Sequence, residues 1–311
     1  MERRATVWGD KLMRWLIAAA LASPFFVAPV PARAWGQGGH YAVCEIGYLN
    51  LTPRARAQVD RLVALDGRFA SFTETCTFPD NPVSRASEHY SNYPRSQRRI
   101  GPGCPGGRPC VLGALEGDLA TLRSASAGDP MKAMAILYIG HWFGDLHQPL
   151  HISFADDRGG NSIKAPGQCS GTYEASLHSV WDSCVVERRI FGPGTDRLVR
   201  ALLAAATLSA SVTRRQRRNW VRSAPWQWAG ESYKITIAPG TGYCVRKSGD
   251  CRYSASKLEF AEGDAQRILP VDDLYLDRAR PIVETRLKRA GIRLADALNR
   301  AFDPDFDGWR T

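Results

Sequence analysis

Apolar positions recur along most of this chain at the spacing of buried helix faces. Leu115, Leu119 and Leu122 fall on one such face, and Val283, Leu287, Leu294 and Leu298 on another, because side chains at i, i+3, i+4 and i+7 line up along an α-helix. This periodicity predicts helices over 39–50, 53–65, 113–124, 131–146, 174–190 and 277–302. Between them, 79–107 and 156–172 are rich in Gly, Pro and polar residues and read as irregular, and 233–253 reads as hairpin-like. No Pro- or Ser-rich linker, shift of composition or internal repeat divides the chain. The expectation is one mainly α domain with irregular loops and a small hairpin.

The first 34 residues stand apart from this pattern. Arg3, Arg4, Lys11 and Arg14 make a basic start, 15–30 is largely apolar, and Ala32-Arg33-Ala34 places small residues where a signal peptidase reads. A membrane anchor is the rival reading, but Pro24, Pro29 and Pro31 interrupt the run, which is shorter than the roughly 20 residues of a span. A cleaved export signal is expected, with the mature chain beginning at Trp35 and residing outside the cell or in the periplasm. Removing 34 of 311 residues leaves 277, enough for a substantial core, and no second long apolar run follows.

The whole chain carries a formal charge of +10, and the leader holds five Lys or Arg against Glu2 and Asp10, so the mature chain is at +7. That balance favours anionic partners, polynucleotide or anionic lipid, without choosing between them. The 8 cysteines of an exported chain argue for disulfides, whose connectivity a sequence does not fix. Cys104 with Cys110 and Cys244 with Cys251 are the natural short loops, leaving Cys44 with Cys76 and Cys169 with Cys184. No CxxC pair is present to suggest a zinc-thiolate site.

Only 6 histidines occur, and they are clustered. HWFGDLHQPLH holds His141, Asp145, His147 and His151, and HSVWD holds His178 and Asp182. The i,i+4 spacing sets His141 with Asp145, and His178 with Asp182, on one helical face, so that each pair can grip one cation. Pro149 should end the first helix and turn His151 back towards the site. His147 lies roughly opposite His141 and is left out. One HxxxD alone is a weak signal; two of them with His40, Asp80 and His89 are not. Imidazole and carboxylate together suit zinc.

These segments resemble those of the secreted zinc nucleases of the S1/P1 type. The likeness runs from WGQGGH (Trp35, His40) through FPD (Asp80), EHYSN (His89), HWFGDLHQPLH, the Gly159 to Asn161 triplet and LHSVWD to the tail LYLDRARPIVETRLKRAGIRLADALN, nearly the whole mature chain. It implies the helical fold shared with zinc phospholipase C and three zinc ions. Asp80, His89, His141 and Asp145 would hold one. Trp35, through its freed amine and carbonyl, would hold the second with His40 and a share of Asp145. His151, His178 and Asp182 would hold the third.

The resemblance further implies in-line hydrolysis of single-stranded DNA or RNA to 5′-phosphate products, with Asp80 orienting the attacking water, and 3′-nucleotidase activity. Tyr90 occupies the base-stacking position, and Asn92 and Asn161 the base-contacting ones. A monomer without stable membrane association is expected. Two departures bear on substrate preference. His89 follows Asp80 by only nine positions, a trimmed loop, and Val83 stands where the family carries an Arg. Arg85 is the nearest replacement, as a catalytic donor to the transition state. Phospholipase C is the closest rival, disfavoured by the short Trp35-to-His40 spacing, by Asp182 and by the Gly-Gly-Asn triplet. A non-catalytic zinc-binding module would lack a ligand, and none is lacking.

Overall fold

The computed structural model describes residues 35–170 and 175–309. The expected leader and the expected helix start at Glu174 lie outside them. The described residues all belong to one compact unit, and the architecture is mainly helical, as the periodicity predicts. Helices α1 (Gln37–Leu49) and α2 (Pro53–Ala64) come first. Between them Thr52 caps α2, its hydroxyl accepting from the Ala55 amide at 3.2 Å, while Pro53 sits in the first turn, where its missing N–H is no loss. Helix α3 (Val111–Arg123) then packs on α4 (Asp129–His147).

Helix α4 is the axis of the molecule. Every residue from Ala135 to His147 is buried, so neither side of this stretch presents a polar face to water. After it, α5 begins at Leu177–Ser179 and continues through two π-helical turns, Val180–Cys184 and Val186–Ile190. Then come α6 (Arg197–Ala210), α7 (Arg214–Trp220) and α8 (Pro225–Thr236). The last, α9 (Asp273–Phe302), crosses α1, α2 and α4 and buries 290–299.

Three of these helices, α6 to α8, escape the apolar pattern for physical reasons. On α6 the buried positions are mostly small, Ala201 and Ala205 beside Leu208. Helix α7 buries nothing and rests on a capping box between Thr213 and Gln216. The buried side of α8 includes Ser232 and Thr236, whose hydroxyls donate to the carbonyls of Leu146 and Pro149. The segment 233–253, read as a hairpin, therefore opens with the end of α8, and the hairpin proper is shorter.

Strands are few. Strand β1 (Ser91–Tyr93) pairs in parallel with β2 (Ile152–Phe154), Ser91 opposite Ile152. Strand β3 (Ile163–Lys164) lies beside β6 (Arg267–Ile268), and β4 (Val245–Lys247) and β5 (Asp250–Arg252) form the hairpin. The four disulfides are Cys44–Cys76, Cys104–Cys110, Cys169–Cys184 and Cys244–Cys251, the expected pairing. Among the described residues no helix is long and apolar enough to cross a membrane.

Candidate metal centre

Six separate segments deliver side chains to one buried cluster. Helix α1 supplies His40, the loop after Cys76 supplies Asp80, and a 3-10 turn, Ala86–His89, supplies His89. Helix α4 contributes His141 and Asp145 one turn apart, and the turn Pro149–His151 brings back His151, because Pro149 ends α4. Helix α5 adds His178 and Asp182. None of these eight side chains is more than 8% exposed.

Their ligand atoms fall into three groups: His40, His141 and Asp145; Asp80, His89 and His141; and His151, His178 and Asp182. Asp145 joins the first two, its Oδ1 3.4 Å from His40 Nε2 and its Oδ2 3.2 Å from His141 Nε2 and 3.4 Å from His89 Nδ1. In the third group Asp182 lies 3.3 Å from His178 Nε2 and 3.7 Å from His151 Nε2. Such separations are long for charge-assisted hydrogen bonds. They match the edge, about 3.4 Å, of a tetrahedron of ligands held about 2.1 Å from a zinc ion.

The backs of the imidazoles are fixed by main-chain carbonyls. His141 Nδ1 donates to Cys76 O at 2.8 Å, His89 Nε2 to Ser84 O at 2.9 Å, His151 Nδ1 to His89 O at 2.5 Å and His178 Nδ1 to Gly159 O at 2.7 Å. A carbonyl only accepts, so each of these nitrogens carries the proton and the other nitrogen faces the cluster as a lone pair. Both His40 nitrogens, both Asp145 oxygens and Asp80 Oδ1 are buried without a hydrogen-bond partner. Orphaned acceptors at this density are costly unless a cation completes them.

Electrostatics agree with that reading. Burial lowers the His40 and His178 imidazoles and raises the Asp80 and Asp182 carboxyls. Burial also opposes charge on Asp145 and His141, but there it is outweighed. His141 and His151 hold Asp145 far below the ordinary carboxylate range, and Asp145 raises His141. Positive charge is what this pocket lacks.

Two glycines permit the close approaches. A methyl group at Gly144 would sit 2.8 Å from His40 Nδ1, and the same glycine's carbonyl accepts from Trp35 Nε1 at 2.8 Å, anchoring the fully buried Trp35 ring beside His40. Gly159, at φ +66°, turns the chain so that its carbonyl meets His178; a Cβ there would lie 2.7 Å from Leu150 O.

Around the cluster, Tyr90 is 39% exposed and therefore is not a core side chain. Asn92 lies on β1 and accepts from Ser153 Oγ at 3.2 Å; Asn161 is half-buried, its amide bonded to Arg158 O at 2.8 Å and its oxygen to Ser176 Oγ at 3.2 Å. Arg85, the expected transition-state donor, is bound to two carboxylates. Its guanidinium binds Glu88 and, at 2.7 Å, Asp118, which also accepts from Trp142 Nε1 at 2.7 Å. Arg85 thus braces the turn that carries His89. His147 is bound on both nitrogens, to Phe143 O at 2.7 Å and Arg293 at 2.8 Å, and stays outside all three groups.

One residue that the i,i+4 spacing does not mark supports the third group from behind Asp182. Gln148, fully buried, donates its amide to Asp182 Oδ1 and accepts from the Leu150 amide at 2.5 Å. Its place between His147 and Pro149 was a signal available in the sequence. The anchoring carbonyls had none, since every residue carries one.

A mainly helical chain that closes around buried His/Asp groups of this kind has the build of a metal-dependent hydrolase. The S1/P1 nuclease family model matches residues 35–303, and the chain belongs to that family. It is similar to Endonuclease 3 of Arabidopsis thaliana, 27% identical over 312 residues that cover 94% of this chain and 97% of the relative. Endonuclease 4 of the same plant is 29% identical, covering 87% and 90%. Nuclease P1 of Penicillium citrinum is 24% identical, covering 85% and 97%. The chain is a nuclease, a hydrolase of phosphodiester bonds whose substrates are nucleic acids.

Proposed function

We propose that this chain is an exported zinc-dependent endonuclease that cuts single-stranded DNA and RNA to 5′-phosphate products and also acts as a 3′-nucleotidase. The leader 1–34 is removed on export, and 35–311 is the nuclease domain, a monomer. The observation that carries this reading is the set of tethered imidazoles whose free nitrogens converge on buried carboxylates, of which both Asp145 oxygens and Asp80 Oδ1 have no hydrogen-bond partner. The nitrogen and oxygen donors fit zinc. Three ions are assigned: one to Asp80, His89, His141 and Asp145, one to Trp35, His40 and Asp145, one to His151, His178 and Asp182. When bound, they supply Lewis-acid charge for activating water and for stabilising both oxygens of an in-line displacement.

The chain's own residues do the rest. Asp80, with Oδ1 unpartnered, orients the attacking water, and the P–O3′ bond breaks opposite it. Tyr90 offers its exposed ring to a base, and Asn92 and Asn161 offer amides to base edges. A base must leave its stack to reach them, which favours single strands. Arg85 binds Glu88 through Nε and Asp118 through Nη1, so Nη2 is the group with which it would meet a phosphate oxygen. Trp35 becomes a ligand only once the leader is cut and its amine is free.

Metal analysis joined to turnover assays on single-stranded DNA, RNA and phosphatidylcholine tests the proposal. Zinc-dependent cleavage of the nucleic acids alone is expected; turnover of the lipid alone, or of nothing by zinc-loaded protein, would overturn it. Gln148 gives a finer check. Gln148→Glu keeps the shape and the acceptor for Leu150 but turns the donor facing Asp182 into a second carboxylate. Zinc affinity at the third group should fall about ten- to a hundredfold, read by chelator competition. Unchanged affinity would show that Gln148 does not position Asp182.

A further inference from the structure

The metal centre does not account for the chain's formal charge of +10. Residues 211–230 contain Arg214, Arg215, Arg217, Arg218 and Arg222 and no Asp or Glu, a charge of +5, half of the total. Four of the five lie on α7, which has no buried residue. At about 100° per residue, Arg214, Arg215 and Arg218 fall within one third of the circumference of that helix, Arg214 and Arg215 exposed and Arg218 half-buried, while Arg217 turns inward. Among the described residues none of the five forms an ion pair; Arg217 lies over the Trp309 ring, 5.6 Å from its centroid.

The neighbouring carboxylate cannot neutralise this face. Glu231, on α8, already accepts from Arg286 at 2.7 Å and from Arg293 at 2.8 Å, with Arg289 at 3.0 Å. Arg289 in turn stands 5.6 Å from the Trp220 ring at the end of α7, extending the basic surface on to α9. Trp220 and Trp226 border it, both partly exposed. Helix α4 also stands between this face and the metal centre. Arg293 links the Trp220 carbonyl, at 2.9 Å, to His147 Nε2, at 2.8 Å, and His147 is on the side of α4 turned away from the ligand nitrogens.

We propose that this α7 face is a second polynucleotide-binding surface, separate from the metal centre, which holds a distant stretch of the strand being cut. The inference rests on the nuclease reading and deepens it. Uncompensated arginines one to four residues apart suit successive phosphates, partly exposed tryptophans suit unpaired bases, and in a chain of the nuclease family a polynucleotide is favoured over a lipid surface. A site of this kind acts on long substrates only, because a dinucleotide held at the metal centre does not extend round α4 to it.

The test compares the zinc-loaded enzyme with R214Q/R215Q/R218Q, and with R214K/R215K/R218K, on a long single strand and on a dinucleotide over a range of salt. For the glutamine variant, KM on the long strand should rise about tenfold or more at low salt, and the slope of log KM against log salt should fall by about two, roughly 0.7 per lost charge. Its kcat and KM on the dinucleotide should match wild type, and the lysine variant should recover the long-strand KM. An unchanged long-strand KM, or an equal loss on the dinucleotide, would overturn the proposal. So would loss of binding to phosphatidylglycerol vesicles with the long-strand KM intact, which would give the face to a membrane. Wild-type turnover of the dinucleotide tests the nuclease reading by itself.

Discussion

Asp145→Asn is expected to lower kcat/KM by about a thousandfold or more, equivalent to about 4 kcal/mol of transition-state stabilisation, and to remove at least one metal ion. Asp145 is fully buried, and its two oxygens face His40 on one side and His141 and His89 on the other. An amide offers one weak oxygen ligand and an NH2 group that cannot bind a cation, so the junction between two ligand groups is lost. The metal-free protein supplies the control. There the charge on Asp145 is stabilised by His141 and His151, so exchanging it for a neutral amide should also lower the midpoint of unfolding by denaturant at neutral pH. A carboxylate with a purely structural task would give a destabilised apo protein whose zinc-loaded form keeps its metal content and its kcat/KM.

Glu231→Gln should destabilise the fold at neutral pH by about 3 kcal/mol. Arg286 and Arg293 are each 1% exposed, and Glu231 is the carboxylate that meets both. Arg286 also donates to the His147 carbonyl at 3.0 Å and Arg293 to the His147 ring at 2.8 Å, so this network ties α8 and α9 to the back of α4. Without the carboxylate, two buried guanidinium groups remain uncompensated. Burial pushes the Glu231 carboxyl up, but Arg293 and Arg286 outweigh it and hold it down at about 2, against an ordinary 4.5. A carboxyl depressed in the folded state stabilises fully above its unfolded pKa, and that contribution disappears as pH falls through the folded value. The gap between wild type and variant in denaturant unfolding should therefore be full at pH 7 and shrink between about pH 4.5 and 2. A gap that is flat with pH would mean that Glu231 acts by packing and not by charge.

The sequence by itself determined the helical frame and most of the cluster. Apolar positions mark α1 to α4 and α9: α2, α3 and α9 because they bury a regular face and α4 because it is buried on every side from Ala135 to His147, and the i,i+4 pairs His141/Asp145 and His178/Asp182 are local facts of helical geometry. Pro149 announced the end of α4 in the same way. Tertiary structure decided what no local rule contains. The pairing of Ser91 with Ile152 brings the His89 carbonyl to the His151 ring, across a separation in sequence that periodicity cannot see. Carbonyls of Cys76, Ser84 and Gly159 choose which imidazole nitrogen is left free, and a carbonyl leaves no trace in composition. Arg85 shows the limit most clearly. Its place five residues after Asp80 made it a candidate for the phosphate, yet its partners come from Asp118 on α3 and Glu88 on its own turn. Charge in a sequence is only a count; which charges neutralise each other, and which remain for a ligand, depends on distances that exist only after folding.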